Sequence, residues 1–296
     1  MQQLMHRSAA VRSVQILTTG SVRIRPEQAD GTRKPLYWWL LTSRRWSTPD
    51  RPIHVYVIDH PRGLVLFDAG QDRAAATNPG AYFPGGPLGF LYARLARFDI
   101  AATQTLSAQL TGIGRRIDDV RAVVVSHLHS DHVGGLPEIA RHAPDAEVYV
   151  GAEEWANLAR PLPRARGFLT DQIRVPGLHW RPVTFAAVDA LDVYPFTAAA
   201  DLFGDGSLVM LPTPGHTPGS LSLLVRRQDA PPLLLVGDLA YSAARMRAGF
   251  LPGVGSRRRM RASTRRLLSL ADRLQAPVLC AHDPDAARLL TTASLP

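Results

Sequence analysis

Ten residues constrain this chain more than any others: Ser126-His127-Leu128-His129-Ser130-Asp131-His132-Val133-Gly134-Gly135, directly after the apolar run Ala122–Val125. The run reads as a buried strand, so the loop begins where the chain leaves a sheet and can turn side chains into a cleft. Imidazole and carboxylate are the groups that hold zinc and similar divalent ions, and a loop of the form His-x-His-x-Asp-His can serve two ions at once. Gly134 and Gly135 let the backbone turn sharply beside those side chains. A polar surface loop that is merely rich in histidine would not need an apolar strand in front of it.

Three further candidates follow apolar runs in the same way. Leu208–Leu211 leads to Thr213-Pro214-Gly215-His216-Thr217-Pro218-Gly219, Leu233–Val236 leads to Gly237-Asp238, and Val278–Cys280 leads to Ala281-His282-Asp283. One histidine after a strand is more often structural than a ligand. The recurrence of the arrangement behind the first loop reverses that expectation. Cys280 is the only cysteine, which excludes an internal disulfide framework and a thiolate-rich metal site. It reads as a small buried hydrophobe. His6, His54, His60, His142 and His179 lie outside the pattern and read as surface or structural residues.

The remainder of the chain places these loops on a mixed scaffold. Val14–Leu17, His54–Asp59 and Leu64–Phe67 read as strands, the last two joined by the turn His60-Pro61-Arg62-Gly63. Leu106–Gly114, Leu136–His142, Glu153–Ala159 and Met260–Leu274 read as helices, and Glu147–Val150 and Ser220–Val225 as further strands. Two stretches look like insertions that shape a substrate pocket: 77–98, rich in Pro, Gly and aromatics before turning helical, and 160–181, read as loop. No repeat or composition break divides the 296 residues, so one α/β domain over 1–296 is expected.

The loop sequence and the order of the later candidates resemble the metallo-β-lactamase-fold hydrolases over about Val14–His282. The resemblance implies a four-layered αββα sandwich with two divalent metal ions at one edge of its sheets. Carried over residue by residue, His127, His129 and His216 would hold one ion. Asp131, His132 and His282 would hold the other, with Asp238 bridging. Asp68, in Phe67-Asp68-Ala69-Gly70, matches the family's early Asp-x-Gly element and would orient a ligand histidine. Zinc is the expected metal; iron, cobalt and manganese accept the same donors.

Within the superfamily, Gly237-Asp238-Leu239-Ala240-Tyr241 and Ala281-His282-Asp283 look like the N-acyl homoserine lactonase group, whose corresponding tyrosine reaches over the metals to the substrate carbonyl. The resemblance implies that water activated at the two ions opens a lactone ring, that Tyr241 stabilises the oxyanion, and that Asp131 passes a proton to the leaving alkoxide. Tyr82, Phe83, Phe90 and Tyr92 are the candidate apolar wall for an acyl chain. The same ligands serve a phosphotriesterase, a phosphodiesterase or a glyoxalase-II-like thioesterase, and those readings stay open.

A nucleic-acid-processing role is the remaining alternative. Its motivation is the net charge of +9 and the arginines clustered in 245–273. No aromatic-interleaved motif accompanies them and Lys34 is the only lysine, so the bias reads as composition and no nucleic acid is expected. The partner expected is a small acyl lactone. No apolar run reaches the roughly 18 residues of a membrane span, and the N-terminal residues lack the apolar core of a signal peptide, so a cytoplasmic location is expected. The sequence leaves a homodimer open.

Overall fold

The computed structural model describes residues 11–188 and 193–293; His6 falls outside them. Its strands are β1 (Ser13–Ile24), β2 (Arg51–His60), β3 (Gly63–Phe67), β4 (Ala96–Asp99), β5 (Val120–Val124), β6 (Glu147–Gly151), β7 (His179–Val183), β8 (Ala186–Ala187), β9 (Ala198–Asp201), β10 (Leu208–Pro212), β11 (Leu221–Val225), β12 (Leu233–Leu235) and β13 (Val278–Leu279). They form a sheet of order β4-β1-β2-β3-β5-β6-β7 and a second of order β13-β12-β11-β10-β9-β8.

The central strands are apolar at nearly every position because both of their faces are covered. Alternate residues of one strand go to different cores. Tyr56, Ile58, Val65, Phe67 and Val124 of the first sheet meet Leu208, Met210, Leu223, Val225, Leu233 and Leu279 of the second, filling the space between sheets. Their neighbours Val55, Val57, Leu64, Leu66 and Val123 face outward and pack on Leu106, Leu110, Leu136 and Ile139 of the covering helices. Val209, Leu211, Leu224, Leu234 and Val278 do the same against Met260, Leu267 and Leu270. Each such buried side chain contributes roughly 1.5–3 kcal/mol. The result is helix, sheet, sheet, helix.

Strand direction gathers the loops. β3, β5 and β6 are mutually parallel in the first sheet. In the second, β10 and β12 flank β11 antiparallel, and β13 runs parallel to β12. The loops that begin with Asp68, Ser126, Thr213, Val236 and Cys280 therefore leave the C-terminal ends of their strands along one edge.

Two segments differ from the sequence reading. The stretch 160–181 is not all loop: it holds a 3-10 turn at Arg164–Arg166, a short helix at Thr170–Ile173 and the start of β7. No clean period marks it because each piece is only three to five residues long. The end of the early insertion, Ala96–Asp99, is a strand that adds to β1 through Ser21–Ile24, although its burial alternates only weakly.

Candidate metal centre

The ligand candidates converge. His127 Nε2 lies 3.0 Å from His129 Nδ1, and His216 Nε2 lies 3.1 Å from the same atom. Asp238 turns one oxygen to each side of the cluster: Oδ2 is 3.5 Å from His216 Nε2, while Oδ1 is 3.4 Å from His132 Nε2 and 3.2 Å from His282 Nε2. Asp131 Oδ2 stands 3.5 Å from His282 Nε2. Three groups each bring their donor atoms within 4.8 Å of one another: His127, His129 and His216; His127, His132 and Asp238; Asp131, His132 and His282.

The chemistry of the donors fits divalent cations. His132 Nε2 and Asp238 Oδ1 are buried without a well-formed hydrogen bond, a costly state for polar atoms unless something else binds them. Burial, reinforced by the neighbouring imidazoles, holds His127 well below its ordinary pKa and lowers His129 to about 3. His216 is also lowered, again by burial first. Three neutral rings thus direct nitrogens at one another, and one proton cannot satisfy them all. On the other side burial also opposes charge, but Asp68 and Asp238 raise His132, and Asp238 and Asp131 raise His282. Asp238 is held well below the usual carboxylate range, against its burial, by His282 and His132. That side pairs an ionised Asp238 with imidazoles drawn toward their protonated form, positive charge that a metal would replace.

Three of the five rings have their far nitrogen held from behind, while His216 Nδ1 is buried without a partner. His132 Nδ1 lies 2.8 Å from Asp68 Oδ2, and His282 Nδ1 lies 2.8 Å from the Pro52 carbonyl oxygen. His127 Nδ1 lies 3.1 Å from Ser126 Oγ. Ser126 in turn donates its backbone N–H to Asp68 Oδ1 at 2.7 Å and its hydroxyl to Oδ2 at 2.9 Å. Asp68 thus stands behind the cluster, against His132. It adopts a left-handed φ of 63°, strain that its three contacts offset. Gly237, at φ 53°, has no alternative, because a Cβ there would meet Ser126 Oγ at 2.6 Å.

Tyr241 is buried beside the cluster. Its ring stacks on His282 at a centroid distance of 5.4 Å and 20° between planes, and its hydroxyl accepts a hydrogen bond from Gln28 Nε2 at 3.1 Å. Burial, then the charge of Asp238, pushes the phenol well up, so it keeps its proton. A cavity of about 220 Å³ opens over Tyr241, Asp131, Asp238 and His282.

Of the four aromatics expected on the wall, Phe83 and Tyr92 line this cavity; Tyr82 and Phe90 do not. The Tyr82 hydroxyl is drawn away to Gln71 Oε1 at 2.7 Å. Phe90 points to solvent, because the helix Gly86–Leu95 turns Leu88, Leu91 and Leu95 inward. Those leucines, with Leu36 and Leu40, are the wall the sequence reading missed; their i, i+3, i+7 and i, i+4 spacings were the available signals. The stretch 160–181 contributes Ala165, Arg166 and Gly167, and Val254 comes from the segment before the last long helix. At Gly167 a Cβ would meet His129 Cδ2 at 2.6 Å, so only glycine passes there.

Gln28 and Glu154 were also missed. Fully buried Glu154 accepts from Leu128 N at 3.1 Å through Oε1 and from Gly219 N at 3.0 Å through Oε2. It ties the loop of His127 and His129 to the loop of His216 across the two sheets. Nothing in the sequence marks it beyond an acid after a strand. Among the other histidines, His54 is buried between Thr18 and the Asp283 carbonyl oxygen. His60 is buried against Ser207 and Phe203, while His142 and His179 are exposed. Cys280 is buried, and its thiol is pushed up by that burial.

The basic helix Arg257–Leu274 buries Met260, Leu267 and Leu270 and turns its arginines outward. Arg247 pairs with Asp272 at 2.8 Å and Arg259 with Glu153 at 3.2 Å. No helix among the described residues is long and apolar enough to cross a membrane.

Comparison with known proteins agrees with this geometry. The N-acyl homoserine lactonase AttM of Azorhizobium caulinodans is 34% identical over 237 residues, covering 79% of this chain and 83% of that protein. A solved N-acyl homoserine lactone hydrolase with N-hexanoyl-L-homoserine at its catalytic metal centre superposes with a TM-score of 0.73 at 18% identity, covering 94% of this chain and 96% of the other. A Bacillus thuringiensis AiiA variant with N-decanoyl-L-homoserine at its active site gives 0.72 at 18%, with the same coverage. The sequence profile of the metallo-beta-lactamase superfamily matches residues 48–282, and the chain belongs to that superfamily of hydrolases.

Proposed function

We propose that this protein is a dinuclear metal-dependent lactonase that opens the ring of N-acyl homoserine lactones. The observation that carries the reading is a single cavity with a seven-residue donor cluster and Tyr241 at its base and leucines on its walls. A polar head that needs hydrolysis and an apolar tail that needs shelter fit such a cavity. The similarity to AttM over four-fifths of the chain supports the same substrate class.

His127, His129 and His216 would hold one ion, and Asp131, His132 and His282 the other, with Asp238 between them. Zinc suits the imidazole-rich set. Two divalent ions there would supply Lewis acidity to a carbonyl oxygen and lower the pKa of water. The chain does the rest. Gln28 donates to the Tyr241 oxygen, and the phenolic hydrogen, which in this structure lies within reach of Asp238, would turn to a substrate carbonyl as negative charge develops on it. Asp131 is the more exposed of the two carboxylates that face the cavity, its side chain 19% exposed against 4% for Asp238, and it would take the proton released by the attacking water and pass it to the departing alkoxide. Leu36, Leu40, Leu88 and Leu91 exclude water from the acyl chain.

Mass spectrometry of the product tests this directly. Hydrolysis adds one water and yields an N-acyl homoserine that recloses in acid. Free homoserine lactone plus fatty acid would mean amide cleavage, and preference for a phosphotriester or thioester over every lactone would move the chain to another branch.

A further inference from the structure

Two stretches around the cavity mouth, 31–49 and 73–98, hold seven cations and no acid: Arg33, Lys34, Arg44, Arg45, Arg73, Arg94 and Arg97. The whole chain has 34 basic and 25 acidic residues, so without these seven the two signs nearly cancel. The two stretches are therefore one of two basic concentrations in the chain, beside the arginines of 245–273.

The same stretches carry an apolar surface. The helices Leu36–Thr42 and Gly86–Leu95 pack on each other. Arg94 fastens them by donating to the carbonyl oxygens of Leu40, Leu41 and Ser43 at 2.8, 2.9 and 3.0 Å. Trp46 lies under both Arg25 and Arg97, 3.6 and 4.6 Å from its ring centre, which joins the two stretches again. Inner residues of these helices line the cavity. On their outer side Trp38, Leu41 and Phe90 are 61, 52 and 57% exposed, and Tyr37, 59% exposed, stands at the cavity rim; the four are most of the large exposed hydrophobics among the described residues. Exposed aromatics close together normally mark a contact.

We infer that this face docks on an anionic phospholipid surface, with Trp38 and Leu41 entering the interface and Arg33, Lys34, Arg44 and Arg45 meeting lipid phosphates. Aromatic side chains flanked by cations are what a bilayer interface selects. A second copy is the poorer occupant. A twofold axis would set the patch against itself and oppose cation to cation. Docking would place the cavity mouth against the phase into which long-acyl molecules partition. That benefit rests on the proposed substrate; the docking does not.

Co-sedimentation with phosphatidylcholine vesicles containing about a quarter phosphatidylglycerol, against phosphatidylcholine alone, tests the inference on protein mass rather than turnover. The protein should pellet with the anionic vesicles and be released as salt screens the charges. The double variant Arg44→Ala/Arg45→Ala should partition about 25-fold more weakly, at about 1 kcal/mol per cation near the surface. Trp38→Ala/Leu41→Ala should also lose vesicle binding. Both should keep wild-type hydrolysis of a short-acyl lactone, since none of the four touches the cavity. Equal partition onto neutral vesicles, no partition at all, or an arginine variant that binds like wild type would overturn it. So would a wild-type dimer that Trp38→Ala/Leu41→Ala converts to monomer, which would make the face a subunit contact. If lactone turnover fails while anionic vesicles still bind, the substrate reading is lost and docking stands.

Discussion

The donor cluster and the cavity wall above it are neighbours built on opposite terms. In the cluster three of the five rings are aimed by a directed bond from behind: His132 by Asp68, His282 by the Pro52 carbonyl, His127 by Ser126. On the wall directed bonds aim Tyr92, at the Arg164 carbonyl oxygen, and fasten the backbones of its helices through Arg94, but the leucine side chains have none. The helix Gly86–Leu95 has no fully buried residue, and its leucines act by non-directional apolar contact. Directed bonds fix positions to tenths of an ångström, whereas apolar walls tolerate changes of shape at modest cost. Damage to the cluster should therefore be large and independent of substrate, and damage to the wall small and dependent on it.

The largest effect is expected at Asp238, whose two oxygens face both halves of the cluster. Asp238→Asn removes the charge that the ions and histidines share. Turnover of every lactone should fall by roughly a thousandfold or more, about 4 kcal/mol in the barrier. Elemental analysis should show metal falling from about two ions per chain. Chelation of the wild type should abolish activity until ions are restored. A fully active protein reconstituted with only one ion would break the dinuclear half of the contrast.

Glu154→Gln comes next and sharpens the claim of directed bonding. The carboxylate meets two backbone N–H groups, one per oxygen; an amide turns a donor toward one of them. Removing such outer partners commonly weakens metal binding about 10- to 100-fold. The weaker ion should be the one held by His127, His129 and His216, since Glu154 joins their loops. Chelator competition would resolve the two affinities. A lowered Tm with both affinities intact would reduce Glu154 to a fold clamp.

Tyr241→Phe keeps the ring, its stacking on His282 and the donors, and deletes one hydrogen-bond donor. Loss of an oxyanion donor costs roughly 2.7–4 kcal/mol where it acts alone. Here an ion would share the charge, so kcat should fall about 5- to 100-fold at constant metal content. Wild-type kcat in a fully metallated Phe variant would place Tyr241 on the packing side of the comparison.

The same contrast explains what could be read in advance. The donor loops are local in sequence: His127 to His132 lie within six residues, and His216, Asp238 and His282 each follow an apolar run. Local pattern plus strand order carries that information, including Asp68 at the end of β3. Glu154 and Gln28 act through partners 26 and 213 positions away, and no spacing announces such pairs. The wall failed for a different reason. Aromatic type was the guide there, while the helix phase decided that Leu88 and Leu91 face in and Phe90 faces out. The stretch 160–181 concealed its short helix and strand because three to five residues are too few to establish a period.

The smallest effect should come from the wall, and its dependence on chain length is the informative part. Leu91 lines the cavity and is half-buried, so Leu91→Ala should hardly alter stability and leave the metal content unchanged. A butanoyl lactone ends short of a distant wall residue and should be hydrolysed within about twofold of the wild-type rate. A decanoyl lactone would lose apolar contact. Leu91→Ala removes three carbons from the wall, but at a half-buried position the lost contact with the substrate should be worth only about 1 kcal/mol, so kcat/KM for the long substrate should fall about 3- to 10-fold. The measurement is kcat/KM against acyl length for both proteins. Diverging lines would locate Leu91 on the tolerant side. Parallel lines, with short and long substrates falling together, would mean that the wall reaches the donor cluster after all and that the two regions are not independent.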